Sequence, residues 1–209
     1  MRQSSHITKE SLLKHAARLF LERGFHGTSV EAITNAANVT KGAFYWHFNS
    51  KLELLEAIIN EFETDFLDGL IQDVTHTSGN ALQKLHRLTR YNAVFAYYNP
   101  ELCISFTTVS AEFSGTGTPI EKRIKAVYDK YRSFLANLIR TGQEENVFRR
   151  DLDTEMLARI VIAFHDGILL EWWRNKEEIS GRDYVKTYES VLLKGMMQLL
   201  NEGRADYGL

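Results

Sequence analysis

The chain has 209 residues, 44% hydrophobic and 25% charged, with two prolines and one cysteine, a balance that fits an ordinary globular protein and excludes collagen-like, low-complexity and disulfide-stapled classes. Cys103 alone can form neither an internal disulfide nor a cysteine-based zinc site, which fits a reducing, cytoplasmic setting. The net charge of −2 conceals an asymmetry: residues 1–51 hold seven Lys and Arg against three Asp and Glu, net +4, which leaves −6 on residues 52–209 and points to a polyanion at the basic end.

Met1-Arg2-Gln3-Ser4-Ser5-His6 leads into a charged amphipathic segment without an apolar signal region. Leu12, Leu13, Ala16, Leu19 and Phe20 recur at helical spacing and predict a first helix over residues 8–23, with Gly24 as its stop. Thr28 or Ser29 then offers an N-cap for a short helix carrying Val30, Ile33, Ala36 and Ala37, and Thr28 with Glu31 three residues on reads as a capping box. After Asn38-Val39, Thr40 caps a second short helix, Lys41 to His47. Two short helices joined by a tight link predict a helix-turn-helix, whose second helix enters the DNA major groove while the first braces on the backbone.

Asn49 or Ser50 caps a long helix from Lys51 to about residue 74, with Leu52, Leu55, Ile59, Phe62 and Phe66 on one face, up to the polar run His76 to Asn80. Further helices are predicted over residues 80–98, 101–113, 119–143, 153–175 and 182–203. They are separated at Asn99-Pro100, Ser114-Gly115-Thr116-Gly117 and Arg149-Arg150-Asp151. The apolar stretch from Ile160 to Trp173 is broken by His165-Asp166, so no membrane span is expected. The predicted fold class is all-α, with a helix-turn-helix domain over residues 1–51 and a larger helical domain over residues 52–209 for ligand binding and dimerisation.

In the first domain the candidate DNA-binding residues are Thr28, Ser29, Thr40, Lys41, Gly42, Ala43, Tyr45, Trp46, His47 and Lys51. Thr28 and Ser29 stand at a helix start, where backbone N–H groups and the dipole favour a phosphate, although simple capping explains them too. Lys41 and Lys51 each open a helix, where the macrodipole disfavours a cation, and a DNA phosphate would compensate them. Phe44 and Phe48, four apart, are assigned to the core, which turns Tyr45, Trp46 and His47 outward toward phosphates, sugars and thymine methyls.

Gly24-Phe25, Thr28-Ser29-Val30, Ile33, Ala36-Ala37, Val39, Lys41-Gly42, Phe44-Tyr45, His47-Phe48 and Lys51 together resemble, in order and spacing, the N-terminal signature of the tetracycline-repressor (TetR) family. The resemblance implies phosphate contacts by Thr28, Thr40, Lys41, Tyr45, His47 and Lys51, and a base-facing surface of Lys41, Gly42, Ala43 and Trp46. Thr34, Asn35 and Asn38 depart mildly from the pattern, and Asn38 replaces a frequent glycine with the next-best residue for a left-handed backbone. The likeness covers residues 7–55 strongly and the remainder only in layout. It implies a homodimeric, ligand-responsive regulator of a double-stranded DNA operator, with no metal or cofactor.

In the second domain Phe95, Tyr98, Phe106, Phe113, Tyr128, Tyr131, Phe134 and His165 are candidates for an apolar ligand pocket with polar tips, each equally readable as plain core. Tyr97 belongs to the same aromatic set. His165-Asp166 requires partners if buried, in a ligand, a neighbouring helix or a second subunit, with a satisfied structural pair as the default reading. Gly167 and Gly195 fall inside the last two helices, which suggests close helix approach. By the resemblance these helices form a four-helix dimer interface through Ile160, Phe164, Gly167, Ile168, Tyr188, Leu192, Gly195 and Met196. An enzyme using His165 and Asp166 is the first rival, but no nucleophile elbow, phosphate loop or zinc-protease motif is present. A helical protein-binding adaptor is the second, and an activator or corepressor-dependent regulator would use the same parts.

Overall fold

A computed structural model describes residues 2–197 of the chain. All described elements of regular length are helical: α1 (Arg2–Arg23), α2 (Val30–Ala36), α3 (Lys41–His47), α4 (Lys51–Glu61), a π-helical segment (Phe62–Asp68), α5 (Gly69–His76), α6 (Ala81–Tyr98), α7 (Pro100–Glu112), α8 (Pro119–Glu144), α9 (Thr154–Arg174) and α10 (Gly181–Met196). Two departures from the sequence reading stand out. Helix α1 starts at Arg2 rather than near Thr8, because its polar first turns carry no apolar period to announce them. The long helix from Lys51 is not uniform: over Phe62–Asp68 it loosens into π geometry, in which each N–H reaches five residues back. The predicted tail of the last helix, beyond residue 197, lies outside the described residues.

The helix starts are written in local chemistry. Ser29, Thr40, Ser50, Asp153 and Ser180 each accept a hydrogen bond from the backbone N–H three residues on, satisfying a donor that the first helical turn leaves unpaired. The cap of α2 is Ser29 alone; the box expected of Thr28 and Glu31 does not form, since Glu31 pairs with Lys41 instead. Asn80 and Gln83 do form a reciprocal box, each side chain bonding the other's backbone N–H at 3.1 and 2.9 Å.

The chain divides into two compact units, one running to Gln72 and resuming over Val94–Lys130, the other covering Asp73–Ala93 and the chain from Tyr131 onward. The units therefore do not follow the division at residue 51. In the first, α1 packs against α2, α3, α4 and α7, with Leu12, Ala16, Phe20, Ile33, Phe44, Leu54, Leu55 and Ile58 buried. Leu52, expected on the buried face of α4, is exposed, and Leu54 takes the core position. In the second unit α9 packs against α10, and the core holds Leu85, Leu88, Leu135, Ile139, Phe148, Leu157 and Val161. Two polar ties close it: Glu145 accepts the Ala81 N–H at 2.7 Å, and Arg87 donates two bonds to Asp73 at 2.5 and 2.6 Å.

Candidate functional site

The turn between α2 and α3 is held by Asn38 at φ +53° and by the Val39 N–H bonded to Thr34 O at 2.9 Å. Asn bears that left-handed backbone with little strain, as its place in the sequence foretold. Thr40 then starts α3, and the burial of Phe44 and Phe48 fixes which way the helix faces. Lys41, Gly42, Tyr45 and Trp46 are turned to solvent, with Ala43 and His47 half-buried. Trp46 is 80% exposed and Tyr45 56%. An indole left in water forgoes about 2 kcal/mol of burial. A Cβ at Gly42 would meet only the Thr40 hydroxyl at 3.7 Å, so the fold itself does not require glycine there. Lys41 pairs with Glu31 at 3.2 Å, both side chains well exposed, a pairing that solvent and salt weaken.

Two expected phosphate ligands are engaged within the protein. The Thr28 side chain is buried and its hydroxyl donates inward, toward Gly24 O at 2.8 Å and Leu19 O at 3.2 Å. The Lys51 ammonium donates to Phe25 O and Thr28 O, both at 2.6 Å, and sits 4.1 Å from the centre of the Phe25 ring. Burial lowers the Lys51 pKa, and the charge of Glu112 works against that shift. The carbonyls of the α1–α2 turn thus compensate this lysine at its helix start. Ser29 remains exposed, with its hydroxyl oxygen capping Ala32 and its proton free to be donated outward.

The same turn is clamped by a residue that carried no signal in the sequence. Glu112, at the end of α7, accepts the backbone N–H groups of Phe25 at 2.7 Å and His26 at 2.9 Å. Beside it Phe113 lies against Phe25 and stacks on His26. Phe113 thus belongs to this joint and not to a ligand pocket. Farther along α7, Phe106 stacks on Phe62 at 3.9 Å and 7°, Phe62 lies against Phe66, Phe66 against Phe95, and Tyr128 against Phe106. Phe95, Phe106 and Tyr128 therefore do gather, around the two phenylalanines of the π-helical segment. Glu63, in the same segment, is held below its ordinary pKa first by Lys130 and also by Arg123, both hydrogen-bonded to it. Tyr98 is 75% exposed and Tyr97 is exposed with it, so neither lines an interior site.

In the second unit Tyr131 is buried and its hydroxyl lies 3.0 Å from His165 Nδ1. Asn92 donates to the same hydroxyl at 3.1 Å. Burial holds the His165 pKa down to about 4, so the ring is neutral at pH 7. The satisfied pair expected at His165 is only half realised among the described residues: Nδ1 has a partner, while Nε2 is buried without one. Phe134 is half-buried in this unit. On the last two helices Ile160, Phe164 and Gly167 are exposed and Ile168 is half-buried. Tyr188, Leu192 and Met196 are corrected: all three are buried within the protomer, and the outward face of α10 carries Val191, 62% exposed, with Gly195. A Cβ at Gly167 or Gly195 would meet nothing within 4 Å, so neither glycine serves a close approach among the described residues.

With this geometry in place, comparisons with known proteins agree on one assignment. Residues 12–58 match the family model "Bacterial regulatory proteins, tetR family", and residues 78–196 match "Tetracyclin repressor-like, C-terminal domain". The HTH-type transcriptional repressor DhaR of Mycobacterium sp. (strain GP1) is 26% identical over 93% of this chain and 96% of its own length. The HTH-type transcriptional repressor KstR2 of Mycobacterium tuberculosis is 26% identical over 88% of this chain and 90% of its own. The crystal structure of the MbdR regulator from Azoarcus sp. CIB superposes with a TM-score of 0.83 at 34% identity, covering 91% of this chain and all of that one. The chain belongs to the TetR family of bacterial regulatory proteins and is a helix-turn-helix transcriptional regulator.

Proposed function

We propose that the protein is a ligand-responsive repressor: a homodimer that occupies a palindromic operator and leaves it when a small, largely apolar effector binds. The observation that carries this reading is the outward face of α3, where Trp46, Tyr45 and Lys41 stand in solvent on a helix anchored by buried Phe44 and Phe48. Lys41, Gly42, Ala43 and Trp46 meet base edges, while Ser29, Thr40, Tyr45 and His47 meet phosphates. One helix of seven residues reads few base pairs, so two copies are needed, about 34–36 Å apart on successive major grooves. Residues 1–51 act as the DNA-binding domain and residues 52–209 as the effector and dimerisation domain. The names of the relatives DhaR and KstR2, both repressors, favour repression over activation.

For release, the effector must prefer the conformation that does not fit DNA, and a coupling of about 1–3 kcal/mol changes operator affinity about 5- to 150-fold. Helix α7 supplies a physical link inside one compact unit, since it stacks Phe106 on the π-helical Phe62 and grips the α1–α2 turn through Glu112. An apolar effector that displaces the Phe62–Phe106 stack would therefore load the helix that holds the DNA-binding turn. The test is titration of the protein onto DNA from upstream of its own gene at two salt concentrations, followed by a panel of acyl, aromatic and drug-like compounds. Tight, salt-sensitive binding released by one compound class is the expected result. Binding no tighter than to random DNA by an intact dimer would overturn the operator assignment, and tight binding released by no compound would overturn ligand response.

A further inference from the structure

The second unit holds a polar cluster that the DNA-binding function does not use. Asn92 on α6 spends its amide protons on Leu88 O at 3.0 Å and on the Tyr131 hydroxyl at 3.1 Å. Tyr131, on α8, receives that bond and lies 3.0 Å from His165 Nδ1 on α9. With the phenol proton given to Nδ1, the single proton of the neutral imidazole stands on Nε2. That Nε2 is buried and has no hydrogen-bond partner among the described residues, and the same is true of the Tyr188 hydroxyl on α10. The two rings meet edge to face with centroids 5.6 Å apart, and Phe164 lies against Tyr188 on its other flank. Two buried polar atoms on adjacent helices, each without a hydrogen-bond partner among the described residues, form an arrangement that a protein keeps at a cost to its own stability.

We propose that His165 and Tyr188 together receive an uncharged carbonyl oxygen of an otherwise apolar effector, an assignment that rests on the ligand-responsive reading above. Donors recognise an acceptor, which selects a carbonyl oxygen over an ammonium group or a hydrocarbon. Burial is the main cause that opposes ionisation of Tyr131 and of Tyr188, and the negative charges of Asp166 and Glu189 respectively add to it. Glu189 is itself engaged by His86 at 2.8 Å and Thr89 at 2.6 Å. A carboxylate ligand would bring a further negative charge into a buried place beside Asp166 and Glu189, whereas a ketone, ester or thioester carbonyl carries no charge to desolvate or repel. The aromatic neighbours Phe164 and Tyr131 suit the apolar body of such a molecule.

The probes are methyl laurate and dodecanophenone, each paired with the hydrocarbon of matched length, with laurate as the anionic control, titrated onto wild-type protein and Tyr188→Phe. At least one carbonyl compound should bind about tenfold more tightly than its hydrocarbon partner, and Tyr188→Phe should close most of that gap. Without any ligand, Tyr188→Phe should raise Tm by about 2–4 °C, because it deletes an unpaired buried donor. In histidine-labelled protein, nitrogen NMR should show His165 protonated at Nε2, with that signal moving on addition of the carbonyl compound and not of its hydrocarbon. Equal binding within both pairs, absence of binding by both carbonyl compounds, tighter binding of laurate, or a lower Tm for Tyr188→Phe would each overturn the proposal. Operator release by a different compound class would leave the ligand-responsive reading standing without this one, whereas release by no compound at all would remove that reading as well.

Discussion

The outer face of α3 and the outer face of the α9 and α10 pair are both apolar surface left in water, but they are built from different chemistry. Helix α3 sets an indole and a phenol beside Lys41, with Thr40 at its cap. Helices α9 and α10 expose Ile160, Phe164 and Val191 around two glycines whose Cβ positions are open. The first surface suits a hydrated polyanion, where affinity falls steeply with salt. The second suits another apolar helix face at close range, where salt matters little and burial dominates. The difference teaches that exposure alone does not identify a partner; the charges and the small residues around it do.

Breaking the second surface should have the largest effect. Phe164→Glu with Val191→Glu should dissociate the dimer and lower operator affinity by more than about a hundredfold, since one recognition helix then acts alone. Sedimentation and DNA titration check this, and an intact dimer of the double variant would refute the assigned face.

The interior of α9 should respond next, to pH. His165 titrates at about 4 in the folded chain against an ordinary value of 6.5, so the unfolded chain binds the extra proton first as pH falls. The stability this group contributes is therefore complete above pH 6.5 and is lost as pH drops from there toward about 4, up to about 3 kcal/mol across the window. His165→Phe should flatten that part of the pH–stability curve in urea melts, and an unchanged slope would show that another group titrates there.

The first surface should give the smaller and more graded responses. Trp46→Ala should weaken operator binding by about 1–3 kcal/mol and do so unequally among operator variants. Lys41→Ala should weaken all DNA sequences alike and reduce the salt slope by about 1. If Trp46→Ala instead acted uniformly and Lys41→Ala selectively, the roles assigned to the two residues would be exchanged.

What could be read from the sequence was the chemistry acting over three or four residues. Thr40 and Ser50 as caps, Gly24 as a stop at φ +73°, Asn38 as a left-handed turn residue and the Phe44–Phe48 spacing all sit where local rules put them. Errors arose where two neighbours satisfied the same rule. Thr28 and Ser29 both qualify as a cap, and only packing decides that Thr28 turns inward while Ser29 takes the role. Helix α10 likewise carries one apolar stripe through Tyr188, Leu192 and Met196 and a second position of exposure at Val191, and the bulkier stripe goes to the protomer's own core. Glu112 could not have been foreseen, because its partners Phe25 and His26 lie 87 and 86 residues away and are backbone groups, which carry no sequence identity. Tyr98 and Phe113 were grouped with Phe106 by residue type alone; one faces solvent, and the other packs on the turn that Glu112 holds.

The π-helical segment also fixes a phase. Bonding five residues back accommodates more residues per turn than the α-helix does, so Gly69 onward starts from an azimuth that an uninterrupted α-helix from Lys51 would not reach. Phe62 and Phe66 precede or lie within the change, and Leu70 and Val74, both buried, follow it. Were the segment to take α geometry with all its residues kept, every later side chain of that helix would turn by about 100°. Leu70 and Val74 would then leave their buried positions, and deleting one solvent-facing residue such as Thr64 would bring them back, because an α turn holds about one residue fewer than a π turn. For this helix the count of residues between Phe62 and Asp68 is as binding a constraint as their identity.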